Sequence, residues 1–299
     1  MLVEDRDKAV TISGRIVRIG RLDAELYHFL TDPEQLLARL RQSSERIDIF
    51  TFIQSVYETE PKYSYRMEWD NQAVLPITTF ENWWSKQILH TARNRSQQAE
   101  KKGVAIREVF FDEHLAQGIS EIYNEVPVRQ GRPFRHYGQD LATVCREVGT
   151  YLDYSIFLGA YLGEELIGFI KLVSDESGVQ THLMQILSKI KYRDKCPTNA
   201  LIAHAVRLCA ERKIQYLVYG QMVYGKKPAD SLSNFKLRNG FEKIDVPRYY
   251  IPITPWGKAA MRLGLHHKLS DRLPVSLMNR LRELRTQLYR RADKMESSS

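Results

Sequence analysis

A basic segment ahead of a predicted helix is the part of the sequence best suited to binding phosphate. Pro197 favours the first turn of a helix, so the backbone N–H groups of Thr198 and Asn199 lack partners within that helix. Such N–H groups and the helix dipole attract anions. We predict that a phosphate-bearing cofactor contacts these two residues and the four cations before them, unless the segment is only a solvated loop. The four cations are Lys189, Lys191, Arg193 and Lys195.

Two tyrosines follow a predicted strand at 214–222, at the end where ligands collect in open α/β sheets. A phenol at that position could protonate a leaving group, so we predict Tyr224 as a catalytic residue and Tyr219 as a substrate contact. His182 and Gln185 lie on the preceding strand and are predicted as a catalytic residue and a substrate contact, respectively. The alternative for each is a structural role in the core.

A basic loop, RQGRPFRHYG at 129–138, is interrupted by glycine and proline. Its cationic side chains could bind the phosphates of a substrate, or they could simply face solvent. The predicted substrate contacts in this loop are Arg129, Arg132 and Arg135, with His136 beside them.

The sequence predicts no metal site. His266 and His267 are adjacent, and on a helix adjacent side chains point about 100° apart, so they cannot chelate as residues four apart do. The three cysteines, Cys145, Cys196 and Cys209, form no CxxC pair. We expect reduced thiols rather than a disulfide framework or a zinc site.

The predicted elements between residues 104 and 253 follow the order β-α-α-β-β-β-α-β-α-β. The segments YSIFLGAYL, LIGFIKLV and VQTHLMQILSKI are separated by turn residues and predict an antiparallel meander. A helix from Pro197 then leads to IQYLVYGQM at 214–222, an apolar run typical of a buried central strand. The change from antiparallel to parallel pairing splays the strands, so we predict a cleft beside that helix.

The first hundred residues have a mixed α and β pattern. Residues 63–69 alternate between apolar and polar side chains and lead to Asp70 and Asn71, which predicts a hairpin with its turn at that pair. We predict three units along the chain, namely residues 1–103, 104–253 and 254–299.

This order of elements resembles the GNAT superfamily, and particular segments resemble its Fem-like (FemAB-type) branch. The segments are KCPTNALIAHAVRLCAERKIQYLVYG at 195–220, NFKLRNGF at 234–241 with RYYIPI behind it, and ARNRSQQAEKKGV at 92–104. The resemblance implies an α+β fold with a GNAT-like mixed sheet flanked by helices. Residues 1–103 would then be a reduced tandem copy of the same fold, followed by basic helices at the C-terminus.

The resemblance also implies an N-acyltransferase. The donor would be an acyl-CoA or an aminoacyl-tRNA, and the acceptor an amino group on a sugar, a peptide or a cell-envelope precursor, either a small molecule or lipid-linked. In Fem-like enzymes the lysine of the FK pair faces the cleft and stabilises charge at the reacting carbonyl, which implies that role for Lys236. The alternative for Lys236 is an exposed lysine on a short helix.

One departure from the GNAT pattern concerns the loop that binds the pyrophosphate of the donor. Members that use acetyl-CoA carry a glycine-bearing loop whose backbone approaches the pyrophosphate, whereas residues 189–197 contain no glycine. Side chains of the basic segment would have to replace it. The alternative function is a catalytically silent module on the same fold that binds RNA or a membrane surface.

Charge is concentrated at the C-terminus. The net charge is +8, and residues 254–299 carry ten Lys/Arg against four Asp/Glu. Leucines at 277, 281, 284 and 288 form one apolar stripe, so residues 275–291 could contact an anionic membrane, dock on the core or bind RNA. The first ten residues are charged, which argues against a signal peptide. We therefore expect a cytoplasmic protein, at the inner face of the membrane if the tail binds there.

Overall fold

The computed structural model describes residues 2–3, 9–224 and 231–267 of the chain. The strands within this part are β1 Leu2–Val3, β2 Val10–Ser13, β3 Ile19–Leu22, β4 Ile49–Ile53, β5 Arg66–Pro76, β6 Val104–Val109, β7 Val128–Arg129, β8 Arg132–Pro133, β9 Ser155–Leu162, β10 Glu165–Ser174, β11 Gln180–Ser188, β12 Tyr216–Val218 and β13 Glu242–Pro252. The α-helices are α1 Pro33–Gln42, α2 Phe80–Asn82, α3 His90–Lys101, α4 Glu113–Tyr123, α5 Leu141–Val148, α6 Pro197–Glu211, α7 Ser231–Arg238 and α8 Pro255–Arg262. A π-helical turn covers Trp83–Gln87, and 3-10 turns cover Leu152–Tyr154 and Ile190–Lys195.

Eleven strands form one mixed sheet in the order β1-β2-β3-β4-β13-β5-β12-β11-β10-β9-β6. Parallel pairing joins β3 to β4 and β11 to β12, and the remaining pairs of this sheet are antiparallel. Helices cover both faces of its second half, because Ile170 packs with Ile202 of α6 whereas Phe169 packs with Ile119 of α4. The predicted α+β architecture, a mixed sheet flanked by helices, is confirmed.

The predicted meander and central strand are both present. β9, β10 and β11 form the antiparallel meander, and β12 lies inside the sheet between β11 and β5. Leu217 and Val218 of β12 are fully buried, as expected for an apolar central strand. β12 is shorter than the predicted 214–222, because pairing with β11 ends at Val218, although Tyr219 and Gly220 still bond Ala73 of β5.

The chain uses the same order of elements twice. In the first repeat, β1, β2 and β3 form a meander, and α1 crosses over to β4, which lies parallel to β3. In the second repeat, β9, β10 and β11 form the meander, and α6 crosses over to β12, parallel to β11. Both crossover helices begin at a proline, Pro33 and Pro197. This repetition agrees with the reduced tandem copy expected in residues 1–103, an assignment that stays a prediction.

The two repeats exchange their last strands. β5 follows β4 in sequence but pairs with β12, whereas β13 follows β12 in sequence but pairs with β4. β5 and β13 also pair with each other along nine positions from Glu242 to Tyr250. The predicted units 1–103 and 104–253 therefore share one sheet, and the division of the chain at residue 103 stays a prediction.

The predicted hairpin at Asp70 and Asn71 is wrong. β5 continues straight through this pair, with Asn71 opposite Asp245 and Asp70 opposite Val246. The side chain of Asn71 bonds the backbone of Val223, with Oδ1 accepting at 2.7 Å and Nδ2 donating at 3.2 Å. Pairing with a strand far away in the sequence thus satisfies both residues without a turn.

Within the described part of the chain, no helix has the length and apolar character needed to cross a membrane. The tail predicted to contact a membrane, residues 275–291, lies outside the described residues.

A buried ion pair fixes the exchanged strands to the first repeat. Arg248 of β13 lies 2.9 Å from Asp70 of β5 and 2.9 Å from Glu25, and the three side chains are each less than a fifth exposed. Burial opposes the charge of Arg248, but Glu25 and Asp70 more than offset this and raise its pKa.

We expect Arg248→Met to lower the free energy of unfolding by about 3–5 kcal/mol, because it leaves two carboxylates buried without their cation. Urea unfolding followed by circular dichroism measures this loss. Lys243→Met is the matched control, since Lys243 lies on the same strand in an exposed ion pair with Asp245 and should cost about 0–1 kcal/mol. Equal losses in the two variants would contradict the role given to Arg248.

Candidate active site

A cleft opens where β11 and β12 separate. The two strands pair only from Gln180 to His182, after which β11 continues beside β10 to Ser188 while β12 ends at Val218. Met184 is an extra residue in β11 that bulges from the ladder with β10. The predicted cleft beside the N-terminus of α6 is confirmed, because the cavity that fills this gap is lined by residues 186–190 and 196–199.

The cavity has a volume of about 1190 Å³. Several elements form its wall, including the end of β11, the 3-10 turn at Ile190–Lys195, the first turn of α6, and parts of α3 and α7. Six of the predicted site residues lie on this wall, namely Arg129, Lys189, Arg193, Thr198, Asn199 and Tyr219.

Two of the predicted phosphate contacts are already neutralised. Lys189 Nζ lies 2.8 Å from Glu165 and 3.0 Å from Glu121, and Lys191 Nζ lies 2.9 Å from Glu165. Hydrogen bonds from Lys189, then Lys191 and Tyr192, lower the pKa of Glu165 to about 2. These lysines hold the basic segment against β10, so the structure does not present them as phosphate contacts. Lys195 does not line the cavity.

The residue just before α6 adopts a backbone conformation that is typical of glycine, but it is a cysteine. Cys196 has a φ of 54° and a ψ of 40°, the left-handed region that glycine usually occupies. The N–H of Asn199 bonds the carbonyl oxygen of Cys196 at 3.1 Å, so it is not available to an anion in the way the sequence predicted. Thr198 lines the cavity, and its hydroxyl lies 3.2 Å from that of Ser188.

Three arginines supply the uncompensated charge of the cavity. Arg95 of α3, Arg193 of the 3-10 turn and Arg238 of α7 line it, and none forms an ion pair with a described residue. Of these three arginines, only Arg193 is predicted from the sequence as a phosphate contact. Arg95 and Arg238 lie in the segments 92–104 and 234–241 that carried the family resemblance, so their positions could have been proposed from that signal.

Arg129 has a structural role at the cavity edge. Its guanidinium donates to the carbonyl oxygens of Ser188 at 2.9 Å and Ile122 at 2.7 Å, and lies 3.3 Å from Glu125. Burial lowers its pKa, although Glu125 partly offsets this. Arg129 thus joins α4 to the end of β11.

Lys236 is fully buried beside the cavity wall, so the alternative of an exposed lysine is wrong. Its Nζ donates to the carbonyl oxygen of Gln221 at 2.7 Å. The same Nζ lies 4.5 Å from the ring centroid of Tyr219 and 5.1 Å from that of Tyr224. Burial and the neighbouring Tyr224 raise the pKa of Tyr219, which keeps its phenol protonated at neutral pH. The structure therefore brings Lys236, Tyr219 and Tyr224 together.

The structure does not bring the other predicted residues into this group. His182 is buried within β11, with Nε2 2.7 Å from the amide of Gln180, and burial lowers its pKa to about 3. Gln185 donates to the hydroxyl of Tyr123. Arg132 and Arg135 lie outside the cavity lining, on or beside the ribbon of β7 and β8.

Comparison with solved structures identifies relatives of the fold. L-PGS from Bacillus licheniformis matches with a TM-score of 0.57 and 12% identity over 81% of this chain and 80% of that one. FemX matches with a TM-score of 0.56 and 10% identity over 86% of each chain. The C-terminal domain of a putative lysylphosphatidylglycerol synthetase from Agrobacterium fabrum matches with a TM-score of 0.54 and 13% identity over 86% of this chain and 83% of that one.

No protein-family model matches the sequence, and no curated protein matches it. At these low identities the structural matches establish the fold alone. The chain has a GNAT-like fold of the Fem type, as the sequence resemblance predicted.

The lowered pKa of Glu165 makes stability depend on pH. Its ordinary value is 4.5 and its value in the folded protein is about 2, so the unfolded chain binds this proton first as the pH falls. The contribution is fully present above about pH 4.5 and is lost as the pH falls toward 2. We expect Glu165→Gln to flatten the acid dependence of the melting temperature in this range. Glu164→Gln is the control, because Glu164 is 88% exposed; identical profiles for both variants would refute the ion-pair assignment.

Proposed function

We propose that this chain is an acyltransferase that moves an acyl or aminoacyl group to an amino group on a sugar, a peptide or a cell-envelope precursor. The observation that carries the proposal is the buried Nζ of Lys236, which lies 4.5 Å from the ring centroid of Tyr219, a residue that lines the cavity. The fold supports acyl or aminoacyl transfer in general, since one structural neighbour is a domain named as a putative lysylphosphatidylglycerol synthetase.

Acyl transfer requires that the negative charge on the carbonyl oxygen be stabilised and that the leaving group be protonated. We assign these two roles to Lys236 and to a tyrosine beside it. When an amine attacks the donor carbonyl, a C–N bond forms and negative charge develops on the carbonyl oxygen, which the positive charge of Lys236 stabilises. The C–S or C–O bond to the carrier then breaks, the amine nitrogen loses a proton, and the leaving sulfur or oxygen takes one, so that no net proton is gained or lost. Tyr219 is protonated at neutral pH and lines the cavity, so we assign it that proton transfer. Tyr224, which is 39% exposed beside Lys236, is the second phenol that we propose for this transfer.

The donor carries phosphate in this proposal. Arg95, Arg193 and Arg238 come from three separate elements and converge on the cavity that Tyr219 also lines. Guanidinium groups bind phosphate oxygens in bidentate fashion. The three arginine side chains would therefore replace the backbone N–H groups of a glycine-bearing loop as the phosphate-binding groups. Both proposed donors, acyl-CoA and aminoacyl-tRNA, satisfy this chemistry. They differ in how many phosphates they present, and therefore in the salt dependence of binding.

Binding of the two donors can be measured directly by isothermal titration calorimetry with acetyl-CoA and with aminoacyl-tRNA at several salt concentrations. We expect one of them to bind, and the triple variant Arg95→Gln, Arg193→Gln, Arg238→Gln to weaken that binding on the order of tenfold or more. The matched control is Arg212→Gln, whose guanidinium pairs with Glu108 on the surface and does not line the cavity. If neither donor binds, or if the triple variant binds as well as the parent, the proposed donor site is refuted.

The catalytic assignment is tested with Lys236→Met, which keeps the volume of the side chain but removes its charge. With the donor that binds and a mixture of amino sugars and dipeptides, we expect product formation to fall roughly 10²–10³-fold while donor binding is retained. Mass spectrometry of the acylated amines measures this rate. Because Lys236 is buried rather than exposed, some loss of stability is also expected.

Lys243→Met controls for loss of a lysine elsewhere. Equal turnover in Lys236→Met and the parent would remove Lys236 from the mechanism. Donor binding without turnover by the parent would favour the alternative, a catalytically silent module on this fold.

A further inference from the structure

Two histidines and a glutamate meet at a place remote in sequence from the cavity residues. His266 Nε2 lies 3.0 Å from Oε1 of Glu68, and His267 Nε2 lies 3.5 Å from Oε2 of the same residue. One ligand atom from each of the three residues lies within 4.8 Å of the others. The two imidazole rings also contact each other, with centroids 4.0 Å apart.

The conformation of the chain explains why sequence reasoning excluded this arrangement. The two histidines were expected to diverge by the geometry of a helix, but α8 ends at Arg262 and both histidines lie in the non-helical segment after it. Gly264 has a φ of 67°, which reverses the chain there and directs the following residues back toward β5. Adjacent histidines can therefore approach one carboxylate from the same side.

Hydrogen bonding alone does not account for the burial of His266. Its side chain is fully buried, yet its Nδ1 has no hydrogen-bond partner in the described structure. A buried polar group normally has a partner, so the single bond from Nε2 to Glu68 offsets only part of the cost of burying this imidazole, and a stronger interaction at Nε2 would offset more of it.

We propose that Glu68, His266 and His267 form a binding site for a transition-metal ion of the zinc class. A tetrahedral ion about 2.0–2.2 Å from its ligands holds neighbouring ligand atoms about 3.3–3.6 Å apart. The Nε2 of His267 lies 3.5 Å from Glu68, within that range, and the Nε2 of His266 lies slightly closer, at 3.0 Å. Two imidazoles and one carboxylate select Zn²⁺ or a neighbouring transition metal over Mg²⁺ and Ca²⁺, which prefer oxygen ligands. His267 is 38% exposed, so water can reach the fourth position.

The ion would join the segment after α8 to strand β5 of the first repeat. One nearby group opposes it, because Arg66 Nη2 lies 3.3 Å from Oε1 of Glu68 and competes for the same oxygen. Arg66 is 46% exposed and its other nitrogen donates to the carbonyl oxygen of Met261, so it can move aside without leaving a buried charge. This competition gives the proposal a second, independent test.

The test uses untagged full-length protein freed of metal by a chelator and then titrated with Zn²⁺ or Mg²⁺, with the melting temperature as the readout. We expect Zn²⁺ but not Mg²⁺ to raise it, because a ligand that binds only the folded state stabilises that state. His267→Asn and Glu68→Gln should each weaken Zn²⁺ binding on the order of tenfold or more. Arg66→Gln should strengthen it. These variants avoid replacing the fully buried His266.

His114→Asn is the control, because His114 is exposed on α4 away from the cluster and should leave binding unchanged. Substitution with Co²⁺ distinguishes this site from the cysteines, since nitrogen and oxygen ligands give no thiolate charge-transfer band. A response that survives in His267→Asn, a thiolate band, or equal effects of Zn²⁺ and Mg²⁺ would each overturn the proposal.

Discussion

A continuous chain of polar contacts joins the first repeat to the candidate catalytic lysine. Arg248 pairs with Glu25 and Asp70, and the other oxygen of Asp70 accepts from Nε2 of Gln221 at 2.7 Å. The carbonyl oxygen of Gln221 in turn accepts from Nζ of Lys236 at 2.7 Å. Because each of these groups is partly or fully buried, the arrangement holds only when β5 and β13 are in their exchanged positions. The site in the second repeat thus depends on a strand supplied by the first.

The exchange also explains how the cleft can exist within a continuous sheet. β12 is only three residues long, and it pairs with β11 on one side and with β5 on the other. β5 continues for eight residues beyond that contact along β13, so the sheet does not need β12 to extend further. The chain after Val218 no longer pairs with β11, while Tyr219 and Gly220 still bond Ala73 of β5, so Tyr219 lines the cavity that opens beside β11. A longer β12 would fill the space where the ligand is proposed to lie.

The sequence predicted features that depend on local pattern, and it failed where distant residues decide. The meander, the helix from Pro197, the buried β12 and the cleft follow from periodicity and from the rules of crossover connections. The straight course of β5 through Asn71 requires a partner strand 174 residues later, at Asp245, which no local signal reveals. Lys236 was identified only through the family resemblance, and its burial by Tyr219 and Gln221 depends on tertiary packing.

The basic residues at the cavity fall into two groups. The charges of one group, here called the frame, are engaged within the protein, and those of the other group are available to a ligand. Lys189 and Arg129 belong to the frame, since nearby carboxylates or carbonyl oxygens already engage their charges. Arg95, Arg193 and Arg238 line the same cavity without a carboxylate partner among the residues described, so an anionic ligand would gain most from them. From the sequence alone, all lysines and arginines of a basic run are equally plausible phosphate contacts. Only the positions of acidic residues such as Glu165 and Glu121, on other elements, determine which cations remain available to bind phosphate.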